Sequence, residues 1–322
     1  MDGIFNLDKP PGITSHEAVA RVRRLLAAHS AHRTSVHRTS VHRTKVGHAG
    51  TLDPDARGVL PVCVGLATRL FPFLLECEKT YRATMRFGVV TDTQDASGEV
   101  LEVRPLRGLD REAAEALLAG FVGELEQVPP MFSALRRGGA RLHELAREGR
   151  VVEREPRRVS IRRIKLLALE GEFLTFEVTC SRGTYIRTLC HDLGERQGAG
   201  GHLVGLVRMQ LGPFRLEDAH TLEGFNALAR EGRLGEALVG LEAALGHLPR
   251  AVATRQGVER FAQGAPVRSA DLASLGALLR VGDAGGGRVG VARSLFALED
   301  APEGPPPPPS RPALQPVRLL RR

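Results

Sequence analysis

The densest run of chemically capable residues is Gly47-His48-Ala49-Gly50-Thr51-Leu52-Asp53-Pro54-Asp55-Ala56-Arg57-Gly58-Val59-Leu60-Pro61. Its three glycines permit tight backbone paths, and Pro54 turns Asp53 away from helical geometry, so Asp53 is expected on a constrained loop before an apolar stretch. A carboxylate fixed on such a loop can act as nucleophile or base. On composition alone, a capping role for Asp53 is the simpler alternative. A second constellation is Ser181-Arg182-Gly183-Thr184-Tyr185-Ile186-Arg187. If Tyr185 to Arg187 is extended, the tyrosine and the arginine share one face. An aromatic plane beside a guanidinium suits a stacked base next to a carboxylate or phosphate. Core packing for Tyr185 and a surface charge for Arg187 are the plainer readings.

Secondary-structure elements must position these groups. Thr14-Ser15-His16-Glu17 reads as a capping box, and Val19, Val22, Leu25 and Leu26 continue a helical stripe, predicting a helix to about Ala28. A tandem pentapeptide follows, with His32, His37 and His42 each opening a unit. Its five-residue period fits neither helix nor strand, and the histidines lack carboxylate or thiol partners, so a loop duplication is expected and no metal site. Tyr81, Ala83, Met85 and Phe87 alternate with polar residues, as do Leu174, Phe176, Val178 and Cys180, and each run predicts a strand with one buried face. Helices are expected from Arg111 to Ala119 behind Asp110, and from Ile186 or Arg187 to Gln197. Strands and helices therefore intermix without a regular βαβ rhythm, which favours an α+β fold.

The chain has 322 residues, 45 basic and 37 acidic, for a formal net charge of +8. Its hydrophobic fraction of 42% supports a sizeable core and excludes a disordered class, and no apolar run is long enough for a membrane span. No secretory signal is visible at the N-terminus, so a cytoplasmic location is the expectation. Cys63, Cys77, Cys180 and Cys190 form no C-x-x-C pair and read as buried thiols, with no metal expected. The charge is segregated. Residues 129–165 carry eleven basic and four acidic residues, residues 21–45 seven basic and none acidic, whereas residues 76–126 carry eleven acidic and six basic. Such separation points to a polyanionic partner, against the plainer reading of a solvated surface. After about Leu248 the composition shifts to short apolar runs broken by glycine, predicting a small β-rich module. Pro305 to Pro309, with Pro312 and Pro316, predict an extended tail.

The Gly47–Pro61 run, Leu7-Asp8-Lys9-Pro10-Pro11-Gly12 before it, Lys79-Thr80-Tyr81-Arg82 after it, Gln127 to Leu135, and Cys180 to Arg187 together resemble the TruB family of tRNA pseudouridine synthases. The motifs appear in the family's order and span about the first 215 residues. The resemblance implies a catalytic domain over residues 1–247 with a mixed, largely antiparallel central sheet flanked by helices, and a basic RNA-clasping insertion at about 125–158. It also implies a small β-barrel-like, PUA-type module at 248–300; the proline-rich tail at 301–322, read from composition, has no counterpart in the family pattern. The implied reaction isomerises uridine 55 in the T-loop of tRNA to pseudouridine without cofactor or metal. Flipping of the target base is required, because its reacting atoms are inaccessible in a folded T-loop. By resemblance, Asp53 is the essential aspartate and Arg187 the arginine that pairs with it. Tyr81 stacks on the uracil, Tyr185 and Leu206 line the pocket, and His48 meets the flipped nucleotide. Lys9, Pro10 and Gly50 belong to structural motifs near the site. The expected partner is the T-stem loop of tRNA, bound by a monomer away from membranes.

The repeat, Phe132, His143 and Val207 depart from the family pattern, which bears on RNA contacts rather than on the chemistry. Two competing functions stand beside this one. A non-catalytic RNA-binding or RNA-folding protein would carry the same charge segregation, and folding assistance could accompany catalysis. An aspartyl phosphotransferase using Asp53-Pro54-Asp55 would need an apolar strand directly before the motif, and Val46 to Thr51 makes a poor one.

Overall fold

A ten-stranded mixed sheet forms the body of the protein in its computed structural model, which describes residues 1–33, 44–248, 250–252, 263, 278–282, 288–294 and 314–319. The chain opens with β1 (Gly3–Lys9), α1 (Ser15–Arg33), β2 (Val46–His48), β3 (Arg57–Val64), α2 (Phe71–Glu76) and β4 (Lys79–Phe87). The hairpin β5 (Val89–Thr91) and β6 (Val100–Val103) leads to α3 (Arg111–Ala119) and β7 (Gly123–Gln127). An insertion holds β8 (Arg136–Arg137), β9 (Ala140–Arg141) and α4 (Leu142–Arg147). The long pair β10 (Arg157–Glu170) and β11 (Phe173–Cys180) precedes α5 (Ile186–Gln197), β12 (Gly201–Leu211), β13 (Phe214–Arg215), α6 (Leu222–Arg230) and β14 (Leu238–Val239).

The sheet order is β14-β1-β3-β12-β4-β11-β10-β7, with β2 added to β3 and β13 to β12. Every pairing is antiparallel except β12 with β3, so the fold is α+β with a largely antiparallel sheet. The alternation expected in β4 and β11 is present: Tyr81, Ala83, Met85 and Phe87 are buried, and Val178 and Phe176 lie in register with Tyr81 and Ala83. Their common face supports the main core, to which α5 contributes Ile186, Leu189 and Leu193. β3 is buried on both faces, which is why it reads as a continuous apolar run. Leu60, Val62 and Val64 enter the main core, while Val59 and Cys63 enter a second cluster with Leu70, Phe73, Leu74 and Leu211.

The Thr14–Glu17 capping box forms, with the Thr14 hydroxyl accepting from Glu17 N at 3.1 Å and Glu17 Oε2 accepting from Thr14 N at 2.7 Å. The helix behind it runs to Arg33 rather than Ala28. Residues 29–33 continue it because they include no glycine or proline, and buried His29 packs beneath. Most of the pentapeptide repeat lies outside the described residues; its last valine, Val46, opens β2.

Beyond residue 249 a separate four-stranded sheet joins β15 (Arg250–Val252), β16 (Leu278–Gly282), β17 (Arg288–Ser294) and β18 (Leu314–Leu319) in chain order. Leu314–Leu319 is thus a paired strand rather than part of an extended tail, and the small sheet runs past residue 300. Pro316 lies within that strand, where β18 occupies the sheet edge and a missing N–H costs no ladder bond on its outer side. Val291 of β17 is buried in the second cluster and ties this sheet to the body. Pro305 to Pro309 and Pro312 lie outside the described residues.

Candidate active site

Asp53 sits on the loop between β2 and β3, and that loop is fastened on both sides of it. The buried Ser15 hydroxyl donates to Leu52 O and accepts from Leu52 N, each at 2.9 Å. Lys9, at the end of β1 and fully buried, donates from Nζ to Pro54 O at 2.9 Å, Ile13 O at 2.7 Å and Pro10 O at 2.9 Å. Gly12 N also donates to Pro54 O, at 3.0 Å. The motif containing Lys9 and Pro10 therefore acts as a clasp on the Asp53 loop. Burial pulls the Lys9 ammonium down to about 8, with the carboxylates of Asp55 and Asp53 opposing that fall.

The loop's leading arm is anchored from β12. Arg208 is almost fully buried, donating from Nε to Val59 O at 2.7 Å and from Nη2 to Gly50 O at 2.9 Å. Gly50 takes a φ of +83°, and Gly58 a φ of +109° where a Cβ would lie 2.3 Å from Arg208 O. Only glycine fits at residue 58, because the backbones of β3 and β12 meet there.

These anchors aim the Asp53 carboxylate at Arg187. Nε of Arg187 lies 3.0 Å from Asp53 Oδ2, and Nη2 lies 3.5 Å from Oδ1. The arginine side chain is 7% exposed and the aspartate 46%, so one partner is fixed in the protein while the other opens to solvent. Among the described residues, the partner of the Asp53 carboxylate is Arg187 rather than a helix N-terminus. Arg187 is held from further directions: Nη1 donates to Thr93 O at 3.2 Å, Nη2 donates to Phe132 O at 2.9 Å, and Asp95 Oδ2 stands 3.7 Å from Nε. Asp95 is itself set by the hydroxyls of Thr93 and Ser97, which donate to Oδ1 at 2.7 and 2.6 Å.

Tyr185 and Arg187 do not share an extended face. The chain turns helical at Ile186, so Tyr185 is the N-cap of α5 and Arg187 lies in its first turn, where the two-residue strand period does not apply. Gln127 at the end of β7 secures Tyr185 through both backbone groups, donating to Tyr185 O at 3.3 Å and accepting from Tyr185 N at 3.0 Å. Burial raises the phenols of Tyr81 and Tyr185 above their ordinary value. Tyr81 is opposite Arg208 and Leu206 is opposite Ala83 in the β4–β12 pairing, which puts Tyr81, Leu206 and Arg208 on one face of the sheet. His48 ends β2 opposite Val62, and burial lowers its imidazole below the usual range. Its Nδ1 is buried without a hydrogen-bond partner among the described residues.

Asp95, Arg208, Gln127 and Ser15 were absent from the site as read from sequence. Thr91-Asp92-Thr93-Gln94-Asp95 carried a usable signal, a cluster of turn-forming acidic and hydroxyl residues ahead of Gly98. Ser15 was legible only as part of a helix start. The basic insertion forms a small core of its own from Met131, Leu142 and Leu145, and Gly138 and Gly139 take positive φ at its hairpin tip. Arg136, Arg141, Arg147, Arg158 and Arg163 are exposed and form no ion pair among the described residues, whereas Arg162 meets Glu78 at 3.1 Å. Among those residues no group of three His, Cys, Asp or Glu side chains is placed to hold a metal ion, and no helix is long and apolar enough to cross a membrane.

The profile of the TruB family pseudouridylate synthase N-terminal domain matches residues 38–186, and that of the tRNA pseudouridylate synthase B C-terminal domain matches residues 187–246. A tRNA pseudouridine synthase B from Geobacter sulfurreducens is 46% identical over 266 residues, 83% of each chain. One from Stutzerimonas stutzeri is 45% identical over 294 residues, 90% of this chain and 91% of the relative. Among solved structures, a chain of a Cbf5-Nop10-Gar1 complex aligns with a TM-score of 0.73 at 26% identity, covering 99% of this chain and 85% of the other. A chain of an H/ACA RNP bound to a substrate RNA containing 2'-deoxyuridine gives a TM-score of 0.71 at 25% identity over the same shares. With two family profiles joined at Arg187 and relatives of this identity along most of its length, the chain belongs to the TruB family of pseudouridine synthases, enzymes that isomerise uridine in tRNA.

Proposed function

We propose that this enzyme converts uridine 55 in the T-loop of tRNA to pseudouridine, with Asp53 as the essential carboxylate. The observation that carries the reading is the Asp53–Arg187 pair, in which the arginine is buried and multiply held while nearly half of the carboxylate faces solvent. A carboxylate fixed from behind and open in front can meet the sugar or base of an extruded nucleotide without repositioning. The reaction balances without an external reagent: the N1–C1′ bond breaks, the uracil turns, C5 bonds to C1′, C5 releases its proton and N1 gains one. Neither a redox partner nor a group donor enters that balance.

In this reading Tyr81 stacks on the uracil, Tyr185 and Leu206 line its pocket, and His48 faces the flipped nucleotide. Lys9, Pro10 and Gly50 shape the Asp53 loop. The exposed arginines of the insertion meet phosphates of the T-stem loop, and the sheet of β15–β18 is a PUA-type RNA-binding module joined to a catalytic unit of residues 1–247. The enzyme acts as a monomer in the cytoplasm. The test is tritium release from C5-labelled tRNA without added metal. Release is expected from the wild type and absent in Asp53→Asn, which should still bind tRNA. Unchanged release in Asp53→Asn refutes the role given to Asp53.

A further inference from the structure

Gln94 is the one non-glycine residue with positive φ, 63°, among the described residues. A long side chain in left-handed geometry persists where its surroundings over-determine it, and such positions gather at functional sites. Three hydrogen bonds hold this one. Gln94 N donates to Thr91 O at 3.2 Å, Gln94 O accepts from Leu203 N of β12 at 3.0 Å, and Gln94 Oε1 accepts from the Thr188 hydroxyl at 2.9 Å. Thr188 is buried and follows Arg187 directly in α5.

The neighbours of Gln94 both face Arg187. Thr93 O accepts from Arg187 Nη1, and the Asp95 carboxylate stands beside Arg187 Nε. Three consecutive residues of the turn thus meet two consecutive residues of the helix, and the outermost link is the Gln94–Thr188 bond. The left-handed backbone at Gln94 reverses the chain so that the carbonyl before it and the carboxylate after it converge on one guanidinium. Neither Gln94 nor Thr188 touches Asp53 among the described contacts, so any influence on chemistry passes through Arg187.

We propose that Gln94 and Thr188 form a positioning pair that locks the Thr93–Asp95 turn against the first turn of α5 and so sets the angle at which Arg187 presents Asp53 to the nucleotide. The inference rests on the chain acting as a pseudouridine synthase. It is tested by single-turnover tritium release at saturating enzyme, with tRNA affinity by filter binding and thermal midpoints measured alongside. Thr188→Val and Gln94→Ala are each expected to slow release about tenfold while tRNA affinity stays within about twofold, since each removes one partly buried hydrogen bond that makes no contact with Asp53. The double variant should be little slower than the slower single one, because both remove the same bond. Thr188→Ser, which keeps the hydroxyl, should restore the rate to within about threefold of wild type. Gln94→Gly relieves the backbone geometry and is expected to be slow although no less heat-stable, a combination a merely structural role does not produce.

Unchanged rates in both single variants, multiplicative losses in the double, or Thr188→Ser as slow as Thr188→Val would each overturn the proposal. If Thr188→Val fails to fold, Gln94→Ala and Gln94→Gly test the same bond from its half-buried end. Absence of tritium release from the wild type would instead defeat the pseudouridine-synthase reading itself.

Discussion

Replacing Ser15 by alanine isolates the fastening of the Asp53 loop to the start of α1. The hydroxyl is buried and makes two bonds of 2.9 Å, one to each backbone polar group of Leu52. Alanine fits the helix start sterically but leaves both groups unpaired in a site where Leu52 itself is buried. An unmade buried hydrogen bond costs about 1–3 kcal/mol per group, so with partial relaxation the loss should be about 2–4 kcal/mol. For a unit of this size that corresponds to a thermal midpoint roughly 5–15 °C lower. Thr14→Ala is the control: it removes the exposed hydroxyl of the capping box and should cost about 1 kcal/mol. Denaturant unfolding gives the stabilities, and single-turnover tritium release gives the rate. Because Leu52 precedes Asp53, Ser15→Ala should slow turnover well beyond any loss of tRNA affinity, whereas Thr14→Ala should not. A stability loss below about 0.5 kcal/mol for Ser15→Ala, or equal rates in the two variants, would refute the Ser15–Leu52 fastening as a device that holds Asp53.

Arg187→Lys keeps the charge but loses the fork that reaches Asp53, Thr93 and Phe132 together; kcat/KM should fall by about two to three orders of magnitude, and near-normal activity would remove the need for that geometry. Lys9 titrates at about 8 when folded against an ordinary 10.5 when unfolded, so between those values the unfolded chain binds more protons and stability rises with pH. Below that window both states are protonated and the burial cost is fully present. Denaturant unfolding at pH 7.5 and 10 should show a gain of up to about 3 kcal/mol in the wild type that Lys9→Met lacks, and parallel pH profiles would contradict the burial argument. Amide exchange in the insertion, at about residues 125–158, should slow when tRNA binds, because its small separate core and exposed arginines leave it mobile without RNA. Equal protection in the free and bound enzyme would dismiss that mobility.

Elements with a strong local signal were legible in the sequence. The Thr14–Glu17 cap, the Asp110 cap with its helix, the alternation of β4 and β11, and the constrained loop at Asp53 all rest on interactions within a few residues, and each took the expected form. The residues proposed to carry the chemistry stand out in the sequence too, since Asp53, Arg187, Tyr81 and Tyr185 lie in dense motifs. Their mutual placement was not. Asp53 and Arg187 are separated by 134 positions in the chain, and they meet only because β3, β12 and β4 are neighbours in the sheet and α5 packs over it. The sharing of one face by Tyr185 and Arg187 failed because a two-residue period applies to strands, and the chain turns helical between them. Ser15, Lys9 and Arg208 act by donating to backbone carbonyls, a role that leaves no pairing pattern in residue types. Sequence alone therefore determined which candidate groups this protein offers for chemistry and which local elements carry them. The tertiary structure decided which of them touch, because long-range pairing and burial depend on where strands and helices pack rather than on residue spacing along the chain.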